Sequence, residues 1–235
     1  MEYSVDSILS PNIKICQPIT GFRFSIDSIL LAKFVKNKEF ESILDIGTGS
    51  GVLCAILVNL NKCKKVDAVE VDSDLYECLL KTIKLNKLDD KVNPFNQDIR
   101  LFKPKHFYDM VICNPPYRNK ASGRISSNNM LKKAKTNDTL TLEDIMKFCK
   151  SYLKYSGYLY LSYKPALLVD LIEVARRYRI EPKRMMFFYP DNNKNSNIVF
   201  IECQKMSGKE IKIEPPVFQY INNVPAKQFK DILKI

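Results

Sequence analysis

Residues 43–53, ILDIGTGSGVL, decide the fold of this chain. An apolar run rich in β-branched residues leads into three glycines at alternate positions, Gly47, Gly49 and Gly51, and a second apolar run follows. Glycine adopts backbone angles that other residues avoid, and it lets the main chain approach a ligand closely. The stretch therefore predicts a buried strand, a tight glycine loop and a helix, which is the opening unit of a doubly wound sheet.

From residue 40 onward, short β-branched runs alternate with segments of helical periodicity. Such alternation is typical of parallel strands joined by crossover helices. We predict strands at 42–46, 65–71, 91–95, 108–113, 158–163, 184–189 and 198–204, and helices at 51–60, 74–86, 141–154 and 165–178. The predicted fold class is α/β and Rossmann-like, with a mostly parallel sheet of seven strands and helices on both faces.

Two segments interrupt this alternation: a polar stretch at 118–137, and a tail after Met206 that contains Pro215, Pro216 and Pro225. Neither has the apolar pattern of a core element. We therefore divide the chain into an N-terminal extension packing on the core (1–40), a main domain (41–206) and a C-terminal tail (207–235).

The chain carries a strong excess of positive charge. Its 37 Lys and Arg residues outnumber 26 Asp and Glu residues, which gives a formal net charge of +11. Such an excess favours polyanionic partners, because each neutralised phosphate releases counterions. Nucleic acid is the default macromolecular partner, although a compositional bias toward lysine would also produce this charge.

Other classes of protein are disfavoured by the same composition. No stretch reaches the roughly 20 apolar residues that a transmembrane helix needs, and the acidic N-terminus does not resemble a secretory signal. Seven isolated cysteines and a single histidine, His106, offer no metal-ligand spacing. We expect a cytoplasmic protein with reduced, buried thiols, no metal and no membrane association.

Acidic residues surround the glycine loop. Asp45 precedes it, where a carboxylate would repel a pyrophosphate but attract the cationic methionyl end of S-adenosylmethionine. Glu70 lies about 20 residues further on, at the end of the second predicted strand, where an acid can accept hydrogen bonds from both ribose hydroxyls. Asp72 suits a helix N-cap. Asp98 is the candidate acceptor for the adenine amine, with an Asx turn as the alternative.

The fourth predicted strand leads into Asn-Pro-Pro-Tyr at 114–117. Two prolines stiffen the backbone and remove two N–H donors. An exocyclic amine conjugated to a ring attacks well only if acceptors hold both of its N–H groups, and Asn114 Oδ1 and the Pro115 carbonyl can do so. Tyr117 can stack on a planar substrate. The alternatives are a proline-rich strand terminator and a loop aromatic folded over the core.

The motifs LDIGTGSG, AVEVD, NQD and NPPY, in this order and spacing, resemble those of the amino-methylating class I methyltransferases that depend on S-adenosylmethionine. Upstream, residues 21–32, GFRFSIDSILLA, are similar to the segment before the first strand in bacterial tRNA1(Val) adenine-37 N6-methyltransferases. The resemblance implies a class I methyltransferase fold, S-adenosylmethionine as cofactor, tRNA as partner and N6-methylation of adenine as the reaction. We also expect a monomer.

The resemblance also implies roles for individual residues. The expected catalytic set is Asn114, Pro115, Pro116 and Tyr117. The expected cofactor-binding set is Asp27, Asp45, Gly47, Thr48, Gly49, Gly51, Glu70, Val71, Asp98, Ile99 and Asn114, and the role of Asp27 is the least defined. Residues 134–137, AKTN, depart from the Ala-Arg-His-Glu-like segment of many relatives, and this departure bears on the choice of target.

Basic residues follow the tetrapeptide without any acid between 118 and 135. We expect this segment to bind RNA phosphates beside the catalytic pocket, through Arg118, Lys120, Arg124, Lys132, Lys133 and Lys135. A second basic cluster lies at 176–184. It suits either an extension of the phosphate track or a solvated helix end.

The main competing function is N5-methylation of a glutamine side chain in a protein such as a release factor, because those enzymes also use NPPY. They usually carry a separate helical N-terminal domain, whereas about 40 residues precede the first predicted strand here. That difference and the excess charge favour RNA. Methylation of a base in rRNA or DNA, and a non-catalytic RNA-binding relic of the fold, remain further alternatives.

Overall fold

The computed structural model describes residues 2–9, 13–21, 23–115 and 140–233. A separate hairpin is formed by β1 (Tyr3–Ile8) and β2 (Ile13–Pro18). The main sheet contains β3 (Phe40–Ile46), β4 (Cys63–Glu70), β5 (Val92–Asn96), β6 (Tyr108–Cys113), β7 (Leu153–Tyr163), β8 (Ile180–Asp191), β9 (Ile198–Lys205), β10 (Lys212–Ile213), β11 (Val217–Ile221) and β12 (Val224–Pro225). All seven predicted strands are confirmed.

The helices are α1 (Ile26–Phe34), α2 (Val52–Asn59), α3 (Ser73–Leu85), α4 (Leu142–Tyr152), α5 (Leu168–Arg177) and α6 (Lys227–Ile232). Local capping explains two of their starts. Asp72 accepts hydrogen bonds from the first-turn amides of α3, and Thr141 forms a capping box with Asp144 at α4. A short 3-10 turn at Pro165–Leu167 precedes α5, so the α-helix proper begins later than predicted.

The strand order of the main sheet is β12-β11-β8-β9-β7-β6-β3-β4-β5, and β10 adds to β8. Strands β3 to β7 pair in parallel, and β9 is antiparallel to both of its neighbours. The chain proceeds from β3 outward to β5, then crosses back to place β6 on the other side of β3. The order of the sheet therefore reverses between β3 and β6, where α/β proteins bind ligands at the carboxyl ends of the strands.

Apolar side chains cover both faces of the sheet, as the continuous apolar runs of its central strands require. Helices α1, α2 and α3 pack on one face, and α4 and α5 pack on the other. Helix α2 is buried from Val52 to Val58. The α/β fold with helices on both faces is confirmed. No helix among the described residues is long and apolar enough to cross a membrane.

Both ends of the chain contribute more structure than the sequence indicated. The β1–β2 hairpin packs on α3, where the Cys16 amide donates to the Thr82 hydroxyl at 3.0 Å.

The prediction that the tail lies outside the core is wrong. Strand β11 pairs with β8, Val217 is buried, and the Phe229 ring lies 6.0 Å from that of Phe188. Prolines keep these tail strands too short to give a clear alternating pattern.

A buried carboxylate ties α1 to the antiparallel half of the sheet. Glu202, on β9, is 1% exposed. It accepts hydrogen bonds from the Tyr160 hydroxyl at 3.0 Å and from the Arg184 guanidinium at 2.9 Å, and it pairs with Lys36 Nζ at 2.7 Å. Arg184 also donates to the Phe34 carbonyl at the end of α1. The Glu202 charge is thus compensated by Arg184 on β8 and by Lys36, which follows α1.

We expect Glu202→Ala to lower the free energy of unfolding by about 3–5 kcal/mol, because Arg184 would remain partly buried with only the longer 3.7 Å pair to Glu214. Denaturant titration measures this change. The matched control is Glu41→Ala, since Glu41 pairs with Lys64 at 2.6 Å while both side chains are more than half exposed. Glu41→Ala should lower the free energy of unfolding by less than about 1 kcal/mol. Similar losses in the two variants would contradict the role given to Glu202.

Candidate functional site

The glycine loop begins where β3 ends, at the reversal of the sheet. The amides of Gly47 and Thr48 donate to the Val69 carbonyl at 2.9 and 3.1 Å, which fixes the loop against β4. Gly47, Gly49 and Gly51 have φ values of 65°, 59° and 83°. A Cβ added at Gly51 would lie 2.6 Å from Leu79 Cδ1, whereas one at Gly47 would meet no described atom within 4 Å. The backbone at Gly47 thus borders open space among the described residues.

Asp45 lies at the base of this loop with no exposed surface. Its Oδ2 accepts from the Thr48 hydroxyl at 2.7 Å and from the Cys54 thiol at 3.2 Å. Its Oδ1 is buried and has no hydrogen-bond partner among the described residues. Burial raises the pKa of Asp45 to about 6, so the group is mostly ionised at neutral pH. An uncompensated negative charge is thus held beside the loop, which a cationic ligand would offset.

Glu70 ends β4 and is 6% exposed. One carboxylate oxygen accepts the Gly49 amide at 2.8 Å, and the other accepts the Asp72 amide at 2.9 Å. Burial raises the pKa of Glu70, and these backbone bonds oppose that rise. The sequence assigned Glu70 to a ligand, and the structure adds that its side chain connects the glycine loop to the start of α3.

Asp98 follows β5 and pairs with Arg100. The Arg100 amide donates to Asp98 Oδ1 at 2.8 Å, which is the Asx turn that the sequence left open as an alternative. The Arg100 side chain also binds both carboxylate oxygens and lowers the pKa of Asp98. Nearby, Val71 is 62% exposed and Ile99 is buried. The contact of Asp98 with an adenine stays a prediction.

Asn114 follows β6 and lies beside the glycine loop, because Cys113 pairs with Ile46 at the ends of the two strands. Its side-chain amide lies between two hydroxyls. Nδ2 donates to Ser28 Oγ at 2.9 Å, and Oδ1 accepts from Ser162 Oγ. Neither serine was predicted from the sequence to be a site residue, although Ser28 lies within the segment 21–32 that carried the family resemblance.

The structure describes only some of the other predicted site residues. Pro115 is buried next to Asn114. Asp27 lies in the first turn of α1, beside Ser28, and burial raises its pKa. The expected catalytic residues Pro116 and Tyr117 lie outside the described residues. So do segment 134–137 and all the predicted phosphate-binding residues, namely Arg118, Lys120, Arg124, Lys132, Lys133 and Lys135.

The second basic cluster lies away from this site. Helix α5 runs from the carboxyl edge of the sheet back to the amino edge, so Arg176 and Arg177 reach the edge opposite Asn114. Arg177 pairs with Glu173 at 2.8 Å, and Arg176 pairs with Glu181 at 3.3 Å. These ion pairs favour a solvated helix end over an extension of a phosphate track at the site.

Curated relatives that carry the name tRNA1(Val) (adenine(37)-N6)-methyltransferase include one from Aliivibrio salmonicida and one from Flavobacterium johnsoniae. The protein from Aliivibrio salmonicida is 32% identical over 146 residues, which are 62% of this chain and 60% of the relative. The protein from Flavobacterium johnsoniae is 24% identical over 225 residues, which are 93% of each chain. With the first of these, the match spans less than two thirds of the relative's length.

Solved structures share the fold at lower identity. A predicted O-methyltransferase from Agrobacterium tumefaciens superposes with a TM-score of 0.67 and 18% identity, over 87% of this chain and 94% of that one. The M. jannaschii tRNA m1G37 methyltransferase gives a TM-score of 0.61 and 17% identity, over 88% of this chain and 57% of that one. These likenesses support the Rossmann-like methyltransferase fold.

A family model decides the classification of the chain. The model of the methyltransferase small domain matches residues 23–167. This match extends from the start of α1 through the glycine loop, Glu70 and Asn114 to the 3-10 turn before α5. It covers more than half of the 235 residues. The chain therefore belongs to the methyltransferase small domain family.

Proposed function

We propose that this chain transfers a methyl group from S-adenosylmethionine to N6 of an adenine in tRNA, with adenine 37 of tRNA1(Val) as the target. The observation that carries the proposal is the position of the Asn114 amide next to the glycine loop, at the reversal between β3 and β6. A ligand-binding loop and an acceptor for an amine N–H thus lie side by side. The names of the two curated relatives support the choice of substrate.

The loop and its acids suit the cofactor. S-adenosylmethionine supplies an electrophilic methyl group on a positively charged sulfur. Open space at Gly47 admits a ligand close to the backbone, and the buried charge of Asp45 favours a cation in the crevice. In our proposal Glu70 accepts the ribose hydroxyls, Asp98 accepts the adenine amine, and the exposed side chain of Val71 packs on the adenine ring. Thr48, Gly49, Gly51 and Ile99 shape the loop and the crevice wall.

Asn114 and Pro115 suit the methyl acceptor. The lone pair of an adenine amine is delocalised into the ring, so transfer depends on orientation more than on a strong base. Asn114 Oδ1 and the Pro115 carbonyl accept the two N–H groups, while Pro116 stiffens the segment and Tyr117 stacks on the base. We assign RNA phosphates to the basic residues between 118 and 135, and we propose a monomeric, cytoplasmic enzyme.

Cofactor binding tests the role proposed for Glu70. We expect Glu70→Ala to weaken S-adenosylmethionine binding at least about tenfold in calorimetry, because two ribose hydroxyls lose a charged acceptor, at about 1.5–3 kcal/mol for each such bond. The control is Asp72→Ala, which removes the N-cap of α3. It should lower stability by about 1 kcal/mol and leave the affinity unchanged. Equal affinities for S-adenosylmethionine in the wild type and in Glu70→Ala would contradict the assignment of Glu70 to the ribose hydroxyls.

Methyl transfer tests the role proposed for Asn114. We expect Asn114→Ala to lower the rate of transfer from labelled S-adenosylmethionine to tRNA by about 10²-fold, since the amine loses an acceptor and its orientation. Cofactor affinity should stay within about threefold, because Asn114 is only one of the residues expected to contact the cofactor. Asn93→Ala is the control, because Asn93 lies near the amino end of β5 and donates to Asp67. A parallel loss of cofactor binding and transfer in the Asn114 variant would contradict the role of Asn114 as an amine acceptor.

A further inference from the structure

Two hydroxyl groups hold the side-chain amide of Asn114 from opposite sides. Ser28 comes from the first half of α1, and Ser162 comes from the carboxyl end of β7. Ser28 Oγ accepts from Asn114 Nδ2 at 2.9 Å, while Ser162 Oγ donates to Asn114 Oδ1. Ser28 is 6% exposed and Ser162 is fully buried. Both ends of the amide are thus fixed by groups on rigid, buried elements.

The orientation of an amide matters because its two ends differ chemically. The oxygen accepts hydrogen bonds and the nitrogen only donates them, yet the two have nearly the same shape. A flipped Asn114 would present donors to an amine that needs an acceptor. Because a serine hydroxyl both donates and accepts, two serines restrain the rotation of an amide plane rather than select which end is the oxygen. An amide oxygen has two lone pairs, so Oδ1 can bind the Ser162 hydroxyl and a substrate N–H together.

Burial of the two hydroxyls also points to a role in hydrogen bonding. A buried hydroxyl without a partner costs free energy, and alanine would fill nearly the same volume without that cost. Ser162 lies near the carboxyl end of β7, a central strand, directly opposite the buried Phe200 of β9. The contact with Asn114 satisfies the Ser162 hydroxyl at a position where an apolar residue would otherwise suit the core.

We propose that Ser28 and Ser162 are positioning residues that restrain rotation of the Asn114 amide plane, so that its oxygen stays within reach of the amine of the substrate. This inference rests on the proposed function, in which Asn114 accepts an N–H of adenine. It also gives the N-terminal extension a part in the reaction, because α1 supplies one of the two hydroxyls. The two contacts join residues that are 86 and 48 positions apart in the sequence.

The kinetic test uses Ser28→Ala, Ser162→Ala and the control Ser42→Ala, which removes a strand hydroxyl at the amino end of β3. Each of the first two variants should lower kcat about tenfold, the equivalent of one hydrogen bond of roughly 1.4 kcal/mol. The KM for tRNA and the affinity for S-adenosylmethionine should stay within about twofold. A purely structural role would instead lower stability and leave kcat unchanged.

A second readout does not depend on activity. In a ¹⁵N NMR spectrum, the side-chain NH₂ signals of Asn114 can be assigned by their loss in Asn114→Ala. We expect slow exchange of these hydrogens with water in the wild type and in Ser42→Ala, and at least about tenfold faster exchange in both serine variants, because the amide loses a partner that restrains it. Exchange and kcat equal to those of Ser42→Ala would overturn the proposal.

The two readouts separate this inference from the proposed function. If the wild type transfers no methyl group to adenine in tRNA, the proposed function fails, and the NH₂ exchange still decides whether the serines restrain Asn114. If the wild type is active and the serine variants match the Ser42 control in both readouts, the positioning role alone fails.

Discussion

The parallel pairing of β3 with β6 is the contact on which the rest of this structure depends. It joins two strands that are far apart in sequence, and it brings their carboxyl ends to one point of the sheet edge. The residues that follow, Gly47 and Asn114, therefore lie side by side. Each half of the site begins directly after a buried strand, so the rigid apolar sheet holds these polar groups in place.

Burying the acidic groups at that point of the sheet edge costs the fold free energy. Asp45 and Glu70 are both buried, burial raises the pKa of each, and Asp45 Oδ1 has no partner among the described residues. Elsewhere in the described part of the chain, the buried Glu202 is compensated by Arg184 and Lys36. The contrast suits a binding site, because charge left uncompensated by the protein can be matched by a ligand.

The sequence was sufficient for the central fold, since the strands around the glycine loop are continuous apolar runs and the helices between them are periodic. It was insufficient at the chain ends, where β11 and β12 are short and flanked by proline. Its motifs pointed to Asn114, Asp45 and Glu70 as candidate site residues, but not to Ser28 and Ser162, because the contacts of these serines depend on how α1 and β7 pack around β6. The ion pair between Arg100 and Asp98 could not be predicted either, because it depends on the local geometry of the loop after β5.

Nucleoside mass spectrometry distinguishes methylation of tRNA from methylation of a protein. Unmodified bulk tRNA would be incubated with the purified protein and S-adenosylmethionine carrying an isotopically labelled methyl group, then digested to nucleosides. The account predicts labelled N6-methyladenosine, mapped to position 37 of tRNA1(Val) by digestion of the isolated tRNA to oligonucleotides. Label absent from every tRNA nucleoside, and found instead on a glutamine of a release factor, would contradict the account and establish the protein-methylating alternative.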